Sequence, residues 1–171
     1  MTSGISSMAM REQNTRNLQT EKEGIVLLRR KLDTFFVPSK DQKIELYKMA
    51  DIDYTRFFNA IDGVISNKGT FDDIKTTDDF QFVEIKTTKS KTIKKLPYGV
   101  FFGITKNEED LFKRLDNYRL CIVHIDMDDY VLLDFEQYSE LIGNKRTQYQ
   151  VSFKPYKPVA SSYPPPIRPV P

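Results

Sequence analysis

The segment Phe80-Gln81-Phe82-Val83-Glu84-Ile85-Lys86-Thr87-Thr88 constrains this chain more than any other. It reads as a buried strand, yet two opposite charges stand in its middle. Alternate residues of a strand point to opposite faces, so Phe80, Phe82, Glu84 and Lys86 share one face and Val83 and Ile85 the other. A strand serving only a packed core would not carry Glu and Lys there, because burying unpaired charge is costly. A strand that holds a cation and its water beside a phosphate would.

The rest of the chain places this strand in an α/β domain. A helix is predicted from Leu18 to Phe35, where Leu18, Ile25, Leu28, Leu32 and Phe35 recur at helical spacing and Pro38 follows. A second helix is expected over Ile44–Met49 and a strand over Phe57–Ile65. Residues 66–79 read as an irregular connection before the Glu84 strand. Tyr98–Ile104 reads as extended. Thr105-Lys106-Asn107-Glu108 has capping-box spacing and opens a helix to about Tyr118. Leu120–Ile125 is apolar enough for a central strand. Asp128-Asp129 turns the chain into a hairpin partner over Tyr130–Phe135. A short helix over Glu136–Ile142 with Gly143 as its C-terminal cap follows, then an edge strand over Gln148–Phe153. The predicted order is αβββαββαβ, a mixed sheet flanked by helices on both faces.

The expected domain is 17–154. Residues 1–16 are polar and aperiodic and read as disordered. Residues 155–171 hold seven of the nine prolines and read as an extended tail, either a plain end or a Pro-rich ligand.

Within this frame Glu84-Ile85-Lys86 has a partner. Asp62 interrupts the apolar run Ile61-Asp62-Gly63-Val64-Ile65. On two antiparallel strands Asp62 and Glu84 could share a cation, and oxygen ligands suit Mg²⁺, with Mn²⁺ able to substitute. The metal would polarise a scissile phosphate and lower the pKa of a bound water. Lys86 would position that water or steady charge developing on the phosphoryl oxygens. Glu21, on the edge of the first helix's apolar stripe, could add a ligand. Asp72 and Asp73 rival Asp62. The plainer readings are a solvated Glu84–Lys86 ion pair, a strand-end Asp62 and a solvated Glu21.

Lys89, Lys91, Lys94 and Lys95 follow the strand with no acid among them. They are either a solvated loop or phosphate contacts that position nucleic acid without reading its sequence. His124, the one histidine, and Cys121, the one cysteine, both read as core residues. The lone cysteine leaves no internal disulfide and suits a reducing compartment. There is no apolar run of transmembrane length and no apolar stretch behind a basic start. An intracellular, cytoplasmic protein is the expectation, with no membrane partner. A net charge of +2 sets up no global field demanding a polyanion.

On these residues the chain resembles the PD-(D/E)xK nuclease superfamily. Val83-Glu84-Ile85-Lys86-Thr87-Thr88, Ile104-Thr105-Lys106-Asn107-Glu108-Glu109 and Asn117-Tyr118-Arg119-Leu120-Cys121-Ile122-Val123 are similar to the no-vein-type endonuclease-like domain. The resemblance covers about Glu21 to Phe135. It implies a restriction-endonuclease-like fold, a divalent metal and hydrolysis of phosphodiesters, usually in DNA. Asp62, Glu84 and Lys86 would be catalytic, with Glu21 a further metal ligand. The chain departs from the pattern in a 22-residue interval from Asp62 to Glu84 and in lacking Pro before Asp62. The expected function is a metal-dependent DNA endonuclease, in restriction or defence. The alternatives are an RNA-directed endonuclease, a non-catalytic nucleic-acid-binding or assembly module, and an interaction protein acting through its tail. Oligomeric state stays open; a twofold homodimer would match a double-strand site.

Overall fold

The computed structural model describes residues 19–146. Helix α1 covers 19–31. It is followed by strand β1 (Phe35–Phe36), helices α2 (Lys40–Met49) and α3 (Tyr54–Phe57), and strands β2 (Gly63–Ser66) and β3 (Phe80–Thr88). Helix α4 (Lys106–Arg114), strands β4 (Tyr118–His124) and β5 (Asp129–Leu133) and helix α5 (Phe135–Leu141) complete the described chain. The five strands form one sheet in the order β1-β2-β3-β4-β5. β2 runs antiparallel to both β1 and β3, β4 is parallel to β3, and β5 returns antiparallel. The parallel step needs a crossover, and the segment containing α4 supplies it.

The sheet buries both faces. Val64, Phe80, Phe82, Leu120 and Ile122 pack with Leu46 and Tyr47 of α2, Phe57 of α3, Leu111 and Phe112 of α4 and Tyr138 of α5. Ile65, Val83, Ile85, Cys121 and Val123 pack with Leu27 and Leu28 of α1 and with Phe35. The alternation read in Phe80–Thr88 is thus present, and a mixed sheet flanked by helices is the architecture. No helix among the described residues is long and apolar enough to cross a membrane.

Several boundaries differ from the sequence expectation, each for a local reason. Phe35, read as the last residue of the first helix's stripe, belongs to β1 and pairs with Ile65. Its ring lies against Gly63, where a Cβ would stand 2.3 Å from it, so the aromatic needs that bare backbone. α2 starts at Lys40 because Ser39 and Gln42 form a capping box. Only Gly63–Ile65 of the predicted Phe57–Ile65 strand is paired, and the pairing runs one residue on to Ser66. The preceding carbonyls are taken by side chains instead: Tyr47 Oη donates to Phe57 O at 2.7 Å, Lys43 Nζ to Phe58 O at 2.7 Å and to Ile61 O at 2.9 Å, and Tyr118 Oη to Ala60 O at 2.6 Å.

Tyr98–Ile104 forms no strand, although Val100, Phe102 and Ile104 do turn inward onto the core. α4 stops at Arg114, short of Tyr118, which opens β4. α5 ends at Leu141 with Ile142 as its C-cap, and Gly143 does not adopt a left-handed backbone. The expected edge strand at 148–153, the N-terminal segment 1–16 and the tail 155–171 lie outside the described residues.

Candidate active site

Asp62 stands immediately before β2, and its amide donates to Val83 O at 2.9 Å. β2 pairs with β3 so that Gly63 faces Val83 and Val64 faces Phe82. The pairing ends at Gly63, so Asp62 lies just outside the ladder, held beside Glu84 by its bonds to Val83 and Ile85. Asp62 Oδ2 accepts the Ile85 amide at 2.7 Å, which fixes its carboxylate against β3.

Lys86 Nζ donates to Glu84 Oε1 at 2.6 Å and to Glu108 Oε2 at 3.0 Å. Glu108 is the reciprocal residue of the α4 capping box, and its Oε2 also accepts the Thr105 amide at 2.9 Å. One carboxylate oxygen therefore closes the helix and anchors the lysine. A cleft of about 140 Å³ opens beside it, lined by Arg56, Asn59, Ala60, Thr105 and Asn107 among others.

The other oxygen of Glu84 is buried and receives no hydrogen bond from any donor among the described residues. The Asp62 carboxyl lies within hydrogen-bonding reach of Glu84. Two carboxylates cannot bond to each other unless one carries a proton or a cation lies between them. The electrostatics say the same. Burial first, then the neighbouring Asp62, pushes the Glu84 carboxyl up to about 9, and the Lys86 ammonium does not offset them. Burial also raises Asp62, against the Ile85 amide and Lys86.

Burial alone would lower Lys86, but Glu84 and then Glu108 outweigh it and hold its charge. Lys43, between the Phe58 and Ile61 carbonyls, is lowered by burial, with Asp62 and Glu84 opposing. Asp62, Glu84 and Glu108 thus meet two lysines, Lys86 through hydrogen bonds and Lys43 through its field, and the acid in excess is neutralised by a proton or by a metal ion.

Glu21 comes near this cluster through α1. Gly24, one turn on, lets the helix approach β3 so closely that a Cβ there would stand 2.6 Å from Thr87 Cγ2. Burial and then Asp62 raise the Glu21 carboxyl. Among the described residues no three His, Cys, Asp or Glu side chains gather into a ready-made metal cage. The donor set that fits a cation is the Asp62–Glu84 pair, with its unbonded oxygen. Mg²⁺ is commonly held by one or two carboxylates, its remaining positions filled by water and substrate phosphate.

Neither rival aspartate joins the cluster. Asp73 is exposed and accepts from the Thr70 amide at 3.0 Å and the Thr70 hydroxyl at 2.7 Å; Asp72 is exposed in the same turn. Lys89, Lys91, Lys94 and Lys95 are all exposed. Lys89 pairs with Glu23 at 2.5 Å, and Lys95 lies 6.0 Å from the Tyr98 ring.

His124 is buried and holds the loop after β3. Its Nδ1 accepts the Met127 amide at 3.2 Å, so its Nε2 carries the proton toward Ser90 O at 3.0 Å. Cys121 is buried, and burial pushes its thiol up, as expected of a core residue. Glu108 and Lys43 escaped the sequence reading. The capping box around Glu108 was legible; Lys86 reaching it from β3 was not, because that contact depends on how α4 packs. No family model, no curated protein and no solved structure matches this chain.

Proposed function

We propose that the protein is a metal-dependent phosphodiesterase, an endonuclease of the restriction-endonuclease-like class, acting on DNA. The observation that carries this reading is the neighbouring Asp62–Glu84 pair, with a Glu84 oxygen that is buried and unbonded among the described residues and with Lys86 bonded beside it. The element order supports it: helix α1, the strands β1, β2 and β3 with α2 and α3 between the first two, the crossover through α4 and the parallel strand β4, with Asp62 just before β2 and Glu84 on β3.

Asp62 and Glu84 would hold Mg²⁺ or Mn²⁺, which when bound polarises the phosphate and lowers the pKa of its water. Glu84 would hold the cation as a carboxylate, through the Oε2 that no donor among the described residues fills. Lys86 keeps its bond to Glu108 and presents its remaining N–H donors to the phosphoryl oxygens, where charge develops. Glu108 is a positioning residue, since it acts only through Lys86. The lysines after β3 contribute sequence-independent phosphate contacts.

The test is cleavage of plasmid and oligonucleotide DNA with Mg²⁺, Mn²⁺ and chelator, beside calorimetric titration of Mn²⁺. Glu84→Ala and Lys86→Ala should each abolish cutting in a folded protein. The competing reading is a non-catalytic nucleic-acid-binding or assembly module. What favours it is the ion-pair bridge from Glu84 through Lys86 to Glu108, which a purely structural network would also contain. A protein that binds DNA yet never cuts it, across metals and substrates, would decide for that module.

A further inference from the structure

Only two aromatic side chains among the described residues are exposed, and both lie in the loop that leaves the site. Phe101 is 93% accessible and Tyr98 59%. Burying a phenyl ring is worth more than burying almost any other side chain, so leaving one wholly in water needs a reason.

This loop is not slack. Ile93 and Leu96 are buried in the core, and Val100, Phe102 and Ile104 pack against it. His124 holds its start at Ser90 O. Its first residue, Lys89, is three positions beyond Lys86, and its end is tied by the Thr105 amide to the carboxylate that holds Lys86. Both ends are therefore fixed at the candidate site. The residues turned outward are Lys91, Lys94, Lys95, Tyr98 and Phe101. No acidic residue occurs from 85 to 107.

Lysines in a row with bare aromatic rings between core-anchored positions combine the two elements that grip single strands: cations that track phosphates and rings on which bases stack. Duplex DNA offers its phosphates to such a surface but keeps its base faces stacked inside. We infer that the loop 89–104 is a stacking platform for unpaired DNA, with Phe101 and Tyr98 under successive bases. The substrate of the neighbouring site is then single-stranded or locally opened DNA. This rests on the nuclease reading for its substrate and on the loop alone for its binding.

Fluorescence anisotropy in chelator, where no cutting occurs, tests it with a thymidylate strand of about 16 nucleotides, free or annealed to its complement. The protein should bind the free strand more tightly. Phe101→Ala should weaken that binding about tenfold, the loss of one base stack, with the duplex and the salt slope little changed. Tyr98→Ala should do less, and Phe101→Trp should keep the affinity. Replacing Lys91, Lys94 and Lys95 by Ala should instead flatten the salt slope on both ligands.

The inference is overturned if Phe101→Ala leaves strand binding unchanged or weakens strand and duplex equally. Tighter binding of the matching RNA strand would also overturn it, as would a change of sedimentation showing that Phe101 joins two copies of the chain. Magnesium-dependent cutting of duplex without any Phe101 effect would remove this inference and leave the nuclease reading. Phe101-dependent strand binding in a protein that never cuts would do the reverse.

Discussion

Asp79, in the turn just before β3, and Glu84, in the middle of that strand, are both buried carboxylates, and their surroundings are opposite. Asp79 is 8% exposed and Glu84 4%. Asp79 accepts the Lys75 and Thr76 amides, each at 2.9 Å, and the Thr76 hydroxyl at 3.2 Å, with Lys68 at 3.7 Å. These bonds favour its charged form and hold its carboxyl below the usual range, the Lys75 amide contributing most. Glu84 has one ammonium, two nearby acids and one oxygen with no donor among the described residues. Asp79 finishes a turn, and nothing is left for it to bind. Glu84 is buried without enough partners, which a stable fold would avoid unless something else completes the set.

The largest effect should separate these two acids by chemistry. If Glu84 holds a catalytic cation, Glu84→Ala lowers cleavage by at least the order of 10²–10³-fold seen when one transition-state contact is lost. Asp79→Ala should lower stability but leave cutting per folded molecule unchanged. Measuring both variants for cleavage and for thermal unfolding decides it. Equal losses of activity would mean that the contrast between the two carboxylates carries no functional meaning.

The second effect is a difference in sign. The Glu84 carboxyl lies at about 9 in the folded chain against an ordinary 4.5. Its contribution to stability is full below the ordinary value and is lost as pH rises from about 5 toward 9, because the folded state then binds more protons than the unfolded one. Raised Asp62 and Glu21 add to the same slope. Asp79 works the other way: its contribution is present above the ordinary carboxylate range and is lost as pH falls through its lowered value. Denaturant midpoints in chelator should therefore fall from pH 5 to pH 9 by the equivalent of a few kcal/mol. Glu84→Gln should flatten that decline, whereas Asp79→Asn should act only in acid. A flat profile in the parent protein would mean that Lys86 suffices to keep Glu84 ionised.

A cation should abolish the same decline. With Mn²⁺ at about a hundred times its dissociation constant, a site present only in the folded state adds about 2.7 kcal/mol. The gain should grow with pH, since Glu84 must lose its proton to bind. It should vanish in Glu84→Gln and survive in Asp79→Asn. Stabilisation of all three proteins alike would place the ion elsewhere.

Much of this contrast could be read from the chain, and what could not shares one cause. The strand Phe80–Thr88, its two faces, the Asp62 partner and the Thr105 capping box are local patterns: period two, an acid in an apolar run, and a hydroxyl three residues before a carboxylate. The short strand at Phe35–Phe36 was hidden because its second-strand partner had to be known before its pairing could be. The segment before Asp62 was misread because its carbonyls are satisfied by Tyr47, Lys43 and Tyr118 from α2 and β4. The turn-closing bonds of Asp79 to the Lys75 and Thr76 amides lie inside the segment 66–79, which reads as an irregular connection.

The smallest effect concerns Glu108, where a structural role and a functional one meet in one oxygen. Thr105 and Glu108 cap α4 together, and either loss should cost about 1 kcal/mol of stability. Thr105→Ala removes the hydroxyl that receives the Glu108 amide at 3.2 Å but keeps the carboxylate on Lys86 at 3.0 Å. Glu108→Gln keeps an acceptor for the Thr105 amide but takes the charge from Lys86. If Glu108 only closes the helix, Thr105→Ala should be the more damaging variant and cleavage should follow stability in both. If it positions Lys86, Glu108→Gln should lower the turnover rate with little change in substrate affinity while unfolding close to the parent temperature, and Thr105→Ala should show the converse. Comparing turnover and melting temperature in these two variants separates the cap from the anchor, because only the anchor is lost without the helix loosening.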